Sequence, residues 1–201
     1  MTNPRGGGGA YEPEHPFKSL ASTDALSAIA YGPAACHLWN MQTVYEAAGG
    51  ADGLLWLASA WHARVMADEV VSHAFSHGFH PEHSQRLAAY WAEVLGGPTT
   101  YSDCYGDETS VVRIHSGNGP HQEMDRRAIA CFDQALVDVG LAGDDRLRQV
   151  LHDYFAWTTV TTMSRYHRSA EDVPDGLHIP RWSWDGLATG DSATHESPRA
   201  R

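Results

Sequence analysis

Histidine is the residue type with which this chain is best equipped for chemistry. There are thirteen, and a neutral imidazole offers a metal its lone pair and titrates near pH 7. His115 follows the apolar run Val111, Val112 and Ile114 and precedes a Ser-Gly-Asn-Gly-Pro break, which suits one wall of a cofactor pocket. On residue type alone, in a chain with thirteen histidines, the default reading is an exposed loop histidine. His62 lies beside Trp61 in a stretch of helical periodicity, and His83 falls one turn before Leu87. His73, His77, His80 and His83 recur every three or four residues, and two imidazoles one turn apart can share a zinc or copper ion. Gly78 and Pro81 interrupt that run, and only Glu82 offers a further ligand, which counts against a dedicated metal site. The chain contains no nucleophile elbow, phosphate loop or dinucleotide fingerprint.

The elements that must position these histidines read as helices. Leu87, Tyr90, Trp91 and Val94 recur at i, i+3, i+4, i+7, which places them on one face of a helix opening near His83. Gly96-Gly97-Pro98 stops it, because glycine accepts the left-handed conformation and proline cannot continue the ladder. Upstream, Asp52 predicts an N-cap for a helix to about Ala67, with Leu54, Ala58, Trp61 and Val65 on one stripe and Leu55, His62 and Met66 beside it. Asp68 restarts a short helix through Val71 toward Phe75, and a polar loop separates Pro98 from the His115 segment. A long helix is expected from about Pro120 to Val139, with Met124, Ala128, Cys131 and Ala135 on one face and Ile129, Phe132, Leu136 and Val139 on the next. After a turn at Gly140 to Gly143, Asp144 caps a last helix lined by Tyr154, Trp157 and Thr161 that ends past Arg165, where charge density rises and prolines recur. With no alternating apolar pattern that reads as a strand, the expected class is all-α.

These pieces resemble a known family. RLAAYWAEVLGGPTTYS followed by the histidine of IHSGNGP is similar to the E helix, E–F corner and proximal histidine of truncated hemoglobins, specifically their second group as found in actinobacteria. YEAAGGADG resembles the diglycine that joins the first two helices of that family, and ADEVVSHAF the segment entering the C–D corner. VPDGLHIPRWSWDG resembles an extension that many of those globins carry, so the likeness runs from about Thr43 to Gly186. It implies a two-over-two helical sandwich around heme b, held non-covalently since no CxxCH occurs. His115 matches the iron ligand, while Trp61, Phe75, Leu87, Tyr90, Trp91, Val111, Ile114 and Ala128 match positions around the cofactor.

The distal side departs from the family pattern. His62 occupies the position of a tyrosine that hydrogen-bonds bound oxygen, and Ala128 that of a tryptophan thirteen residues after the proximal histidine. Exchanging an indole for a methyl group removes a donor and widens the pocket, unless Trp61 or Trp91 refills it. His62, or else His83 at the first distal E-helix position, is then the candidate for moving a proton or for binding iron as a sixth ligand. The expectation is a heme-dependent oxidoreductase acting on O2, peroxide or an N–O or organic substrate, with a place in specialised metabolism. The alternative is a globin that binds O2, NO or CO reversibly for sensing, storage or detoxification.

Bulk properties set the outer bounds. A chain of 201 residues with 42% hydrophobic and 19% charged residues is an ordinary globular composition. A formal net charge of -11 repels phosphate backbones, which argues against nucleic acid as a partner. Cys36, Cys104 and Cys131 are scattered without a CxxC, no apolar run reaches the ~18 residues needed to span a bilayer, and the N-terminus lacks a secretory core; a cytoplasmic, non-membrane protein is expected. The division is an N-terminal extension over 1–43, partly disordered and with short helices expected from Thr23 and through AACHLWNMQTVYEAA, then a globin domain over 44–168 and a C-terminal extension over 169–201. Trp182 and Trp184 are too much apolar area to leave in water, so that tail packs back onto the globin or forms a homodimer contact.

Overall fold

The computed structural model describes residues 42–188; the helix expected from Thr23 and most of the one expected through AACHLWNMQTVYEAA lie outside them, the end of the second being the helix Val44–Ala47. Thr43 caps α1 (Val44–Ala47) in a reciprocal box with Glu46. Gly49 and Gly50, at φ 89° and 64°, then turn the chain into α2 (Gly50–Ala67). Gly49 is the N-cap, and Asp52, expected there, lies in the first turn instead. The two left-handed glycines reach the helical start earlier than a side-chain cap would. Asp68 accepts from the N–H groups of Val70 and Val71, launching the expected short turn, a 3-10 helix over Val71–Phe75.

The helix with the pocket-facing stripe is α3 (His83–Val94). It ends as expected: Gly96 takes φ 92°, and the Gly97 N–H reaches back to the Ala92 carbonyl at 2.8 Å. The segment expected as a polar loop contains α4 (Thr100–Cys104) and α5 (Glu108–Ile114), the latter capped by Asp107 accepting from Ser110. Tyr101 drives this ordering, its ring packing edge-on to Tyr90 at 5.2 Å. The long helix α6 covers Gln122–Asp138 behind His121, so Pro120 falls outside its first turn. Asp144 accepts from Arg146 and Leu147 N–H and opens α7 (Asp145–Trp157). The last helix does not stay α-helical to Thr161 but widens into a π turn over Thr158–Met163. Hydroxyls of Thr159 and Thr161 donate to the carbonyls four residues back, competing with the regular ladder.

Helix α2 packs on α3 and α6, and α6 on α7, which makes the two-over-two sandwich. Its centre is aromatic. Phe132 and Phe155 stack at 4.1 Å and 5°, while Trp91 and Trp61 meet Phe155 edge-on at 6.0 and 5.6 Å. Leu54, Leu57, Leu136 and Leu151 are fully enclosed around them. Among the described residues, the one small exception to the all-α reading is an antiparallel pair of two-residue strands, β1 (Trp182–Ser183) and β2 (Gly186–Leu187). That hairpin returns the tail to the globin. Trp182 is buried, its ring 5.8 Å from Tyr154 and 5.4 Å from Trp157.

Candidate functional site

His115 is the C-cap of α5. Its Nδ1 lies 2.8 Å from the Val111 carbonyl, so that nitrogen donates, and Nε2 keeps its lone pair free for a ligand role. The residue is open to solvent, yet desolvation by the surrounding protein depresses its pKa. Water reaches the residue from one side while protein stands close on the other. Val111 and Val112 beneath it are buried, and Ile114 beside it is 75% exposed.

Helices α2 and α3 bring His62 and His83 together with ring centroids 4.9 Å apart. Phe75 stands edge-on 5.4 Å from both rings, and Phe79 sits 4.6 Å from His62. Burial lowers the pKa of both imidazoles, that of His83 to about 4, where proximity to His62 and His115 adds to the effect. His83 is therefore the member of the pair that feels His115, and both rings are neutral at pH 7. The Nδ1 atoms of His62 and His83 are buried without a hydrogen-bond partner. Such orphans are costly and signal a missing partner.

The other expected residues divide. Leu87 is half-buried beside the core and Trp91 belongs to the core proper. Tyr90 points its hydroxyl at the buried Glu108 carboxylate, 2.8 Å away. Ala128 packs with Val65 and Val71, and the indole N–H of Trp61 donates to its carbonyl at 3.2 Å. Trp61 thus occupies space beside the small side chain and spends its donor there. Of the histidine run, His73, His77 and His80 are exposed while His83 turns inward, and His80 Nδ1 accepts from the Glu82 N–H. Among the described residues, no three potential metal-binding side chains converge.

Sequence reasoning missed three participants. Phe79 is one. Arg86 is another, its Nε buried without a partner and its guanidinium 5.1 Å over the Tyr105 ring; its position one turn beyond His83 was a usable signal. Glu108 is the third, buried with a carboxyl pushed up to about 7 by desolvation. Nothing in the polar string Gly-Asp-Glu-Thr-Ser announces it.

These residues fit a heme. The free nitrogen of His115 would hold the iron, the unpartnered imidazoles of His62 and His83 and the Phe75 and Phe79 rings would line its surroundings, and Arg86 would offer a cation for a carboxylate group of the porphyrin.

Residues 43–160 match the family of bacterial-like globins. The chain is similar to the thermostable hemoglobin of the actinobacterium Thermobifida fusca at 26% identity and a TM-score of 0.52, over 61% of this chain and 97% of that one. It is similar to the hemoglobin of Chloroflexus aurantiacus at 25% identity and a TM-score of 0.52, over 62% and 99% of the two chains. The group II truncated hemoglobin of Bacillus anthracis shares the fold at 22% identity and a TM-score of 0.51, over 59% and 88%. No curated protein sequence matches significantly. With the family match covering more than half of the chain and the helices in this order around His115, the chain belongs to the bacterial-like globins, as a truncated hemoglobin whose cofactor is heme b.

Proposed function

We propose that this globin is a heme-dependent oxidoreductase that acts on O2, peroxide or an N–O or organic substrate, with its affinities in the second group of truncated hemoglobins. The observation that carries the reading is the pair His62 and His83, 4.9 Å apart with both Nδ1 atoms buried and unpartnered. When bound, the heme supplies the redox-active iron, and His115 Nε2 would hold it.

The work of this chain's own residues is proton handling. A neutral imidazole carries one N–H and one lone pair, so His83 can donate to a substrate oxygen while accepting from a second group behind it. The neighbouring His62 ring, 4.9 Å away, would be that second group. A proton that His83 gives up would be replaced from His62, and that of His62 from solvent, so that both rings end neutral in surroundings that disfavour imidazolium. Phe75 and Phe79 shield the pair.

The experiment compares peroxide turnover by the parent, His62→Ala and His83→Ala, each loaded with heme. Loss of one proton-transfer group lowers the rate ~10²-fold. Parent-like rates in both variants would overturn the assignment.

A second reading, reversible binding of O2, NO or CO, is favoured by one observation. Trp61 lies against Ala128 and bonds its carbonyl, which reduces the space that the small residue opens. Imidazole added to the ferric protein separates the two readings. A pocket for an organic substrate admits it, and a pocket closed by Trp61 does not.

A further inference from the structure

The family match ends at residue 160, yet the chain continues through residue 188 along a path that returns to the helix bearing His115. We propose that residues 165–188 are a proximal clamp, an arm that fixes the tilt of α5 and thereby the presentation of His115. The proposal rests on His115 as the iron ligand.

Helix α5 has seven residues, too few to be stable on its own, and His115 caps its fraying C-terminal end. The arm grips it on both sides of that position. Just beyond His115, Gly117 N–H donates to the Tyr166 carbonyl at 3.0 Å and Gly119 N–H to the His167 carbonyl at 2.8 Å. Within the helix, the Thr109 hydroxyl accepts from Leu177 N–H at 3.1 Å and donates to the Pro174 carbonyl at 3.4 Å. Arg113 donates to the Val173 carbonyl and to Asp175 at 2.8 Å. The 3-10 turn Ala170–Asp172 is the element packed most extensively on α5, and Val173 beside it is buried.

The far end of the arm is anchored to the sandwich. Arg181 donates to the Glu93 carbonyl at the end of α3 and lies 3.7 Å from the carboxylate of the same residue. Trp182 is wedged between Tyr154 and Trp157. A load on α5 is therefore carried to α3 and α7 through the arm.

The test uses full-length, heme-loaded protein and two readouts besides activity. One is the iron–imidazole stretching band of the reduced protein by resonance Raman, and the other is the rate of heme transfer to excess apomyoglobin. Thr109→Val has the same shape but removes both hydrogen bonds, Thr109→Ser retains them, and Val173→Ser unseats the turn. The clamp predicts a shifted and broadened band with ~5-fold faster heme loss in Thr109→Val, as expected for about one net hydrogen bond, and parent behaviour in Thr109→Ser. A band and heme-loss rate matching the parent in both Thr109→Val and Val173→Ser would overturn it. If the parent lacks the band, or His115→Ala keeps it, the ligand assignment itself is wrong, and that outcome is distinct from failure of the clamp alone.

Discussion

Replacing Glu108 by glutamine isolates the energetic effect of a buried carboxyl at the base of α5. Glu108 is 4% exposed, and burial raises its pKa from the ordinary 4.5 to about 7, although the Tyr90 hydrogen bond pulls it down. In the unfolded chain the carboxyl ionises near its ordinary value. Between pH 4.5 and about 7 the folded protein therefore holds a proton that the unfolded chain has released, and stability falls as pH rises through that window. At about 1.4 kcal/mol per pH unit the full loss is roughly 3 kcal/mol, complete above pH 7 and absent below pH 4.5. Glutamine keeps the shape and can still accept from the Tyr90 hydroxyl, but it does not ionise. The difference in stability between Glu108→Gln and parent should be near zero at pH 4.5 and reach about 3 kcal/mol in favour of the variant at pH 8. Urea unfolding of both proteins at several pH values measures it. His62, His83 and His115, whose lowered pKa values make stability fall as pH drops, are common to both and cancel. A difference that stays flat from pH 5 to 8 would refute the argument.

Phe132→Ala removes a fully enclosed ring stacked at 4.1 Å on Phe155 and should cost about 4 kcal/mol in the same unfolding assay. Gly97→Ala places a methyl group 2.7 Å from the Ala92 carbonyl oxygen and 2.8 Å from the Tyr45 ring, so a lower melting temperature is expected, from about 1–3 kcal/mol of overpacking. Arg64→Ala breaks an ion pair with Asp138 whose side chains are 38% and 40% exposed. Its effect should stay under about 1 kcal/mol and disappear in 1 M salt.

Much of the fold was legible because the helix stops are chemically loud. Gly96-Gly97 and Asp144 end and begin helices where their types require, and the stripe of Leu54, Ala58 and Val65 is buried as its spacing predicts. The misplacements share a cause: tertiary contact overrode local preference. Asp52 lost the cap to a diglycine turn, and α4 and α5 form in a polar segment because Tyr101 and Glu108 find Tyr90. The site was legible in type but not in partnership. Spacing placed His62 and His83 on separate helices, and only packing of α2 against α3 brings their rings together. The Trp61 bond to the Ala128 carbonyl joins positions 67 apart and involves a backbone atom, which no side-chain pattern records.

The indole of Trp184 donates to the Gln42 carbonyl at 2.7 Å, and Arg146 lies 4.8 Å over the same ring. The described chain is thus nearly a closed ring. The order in which its helices are strung is then separable from the way they pack. A circular permutant in which residues 188 and 42 are joined by a short linker, with new ends opened at the uncrowded Gly143 turn, should assemble the same sandwich and still bind heme.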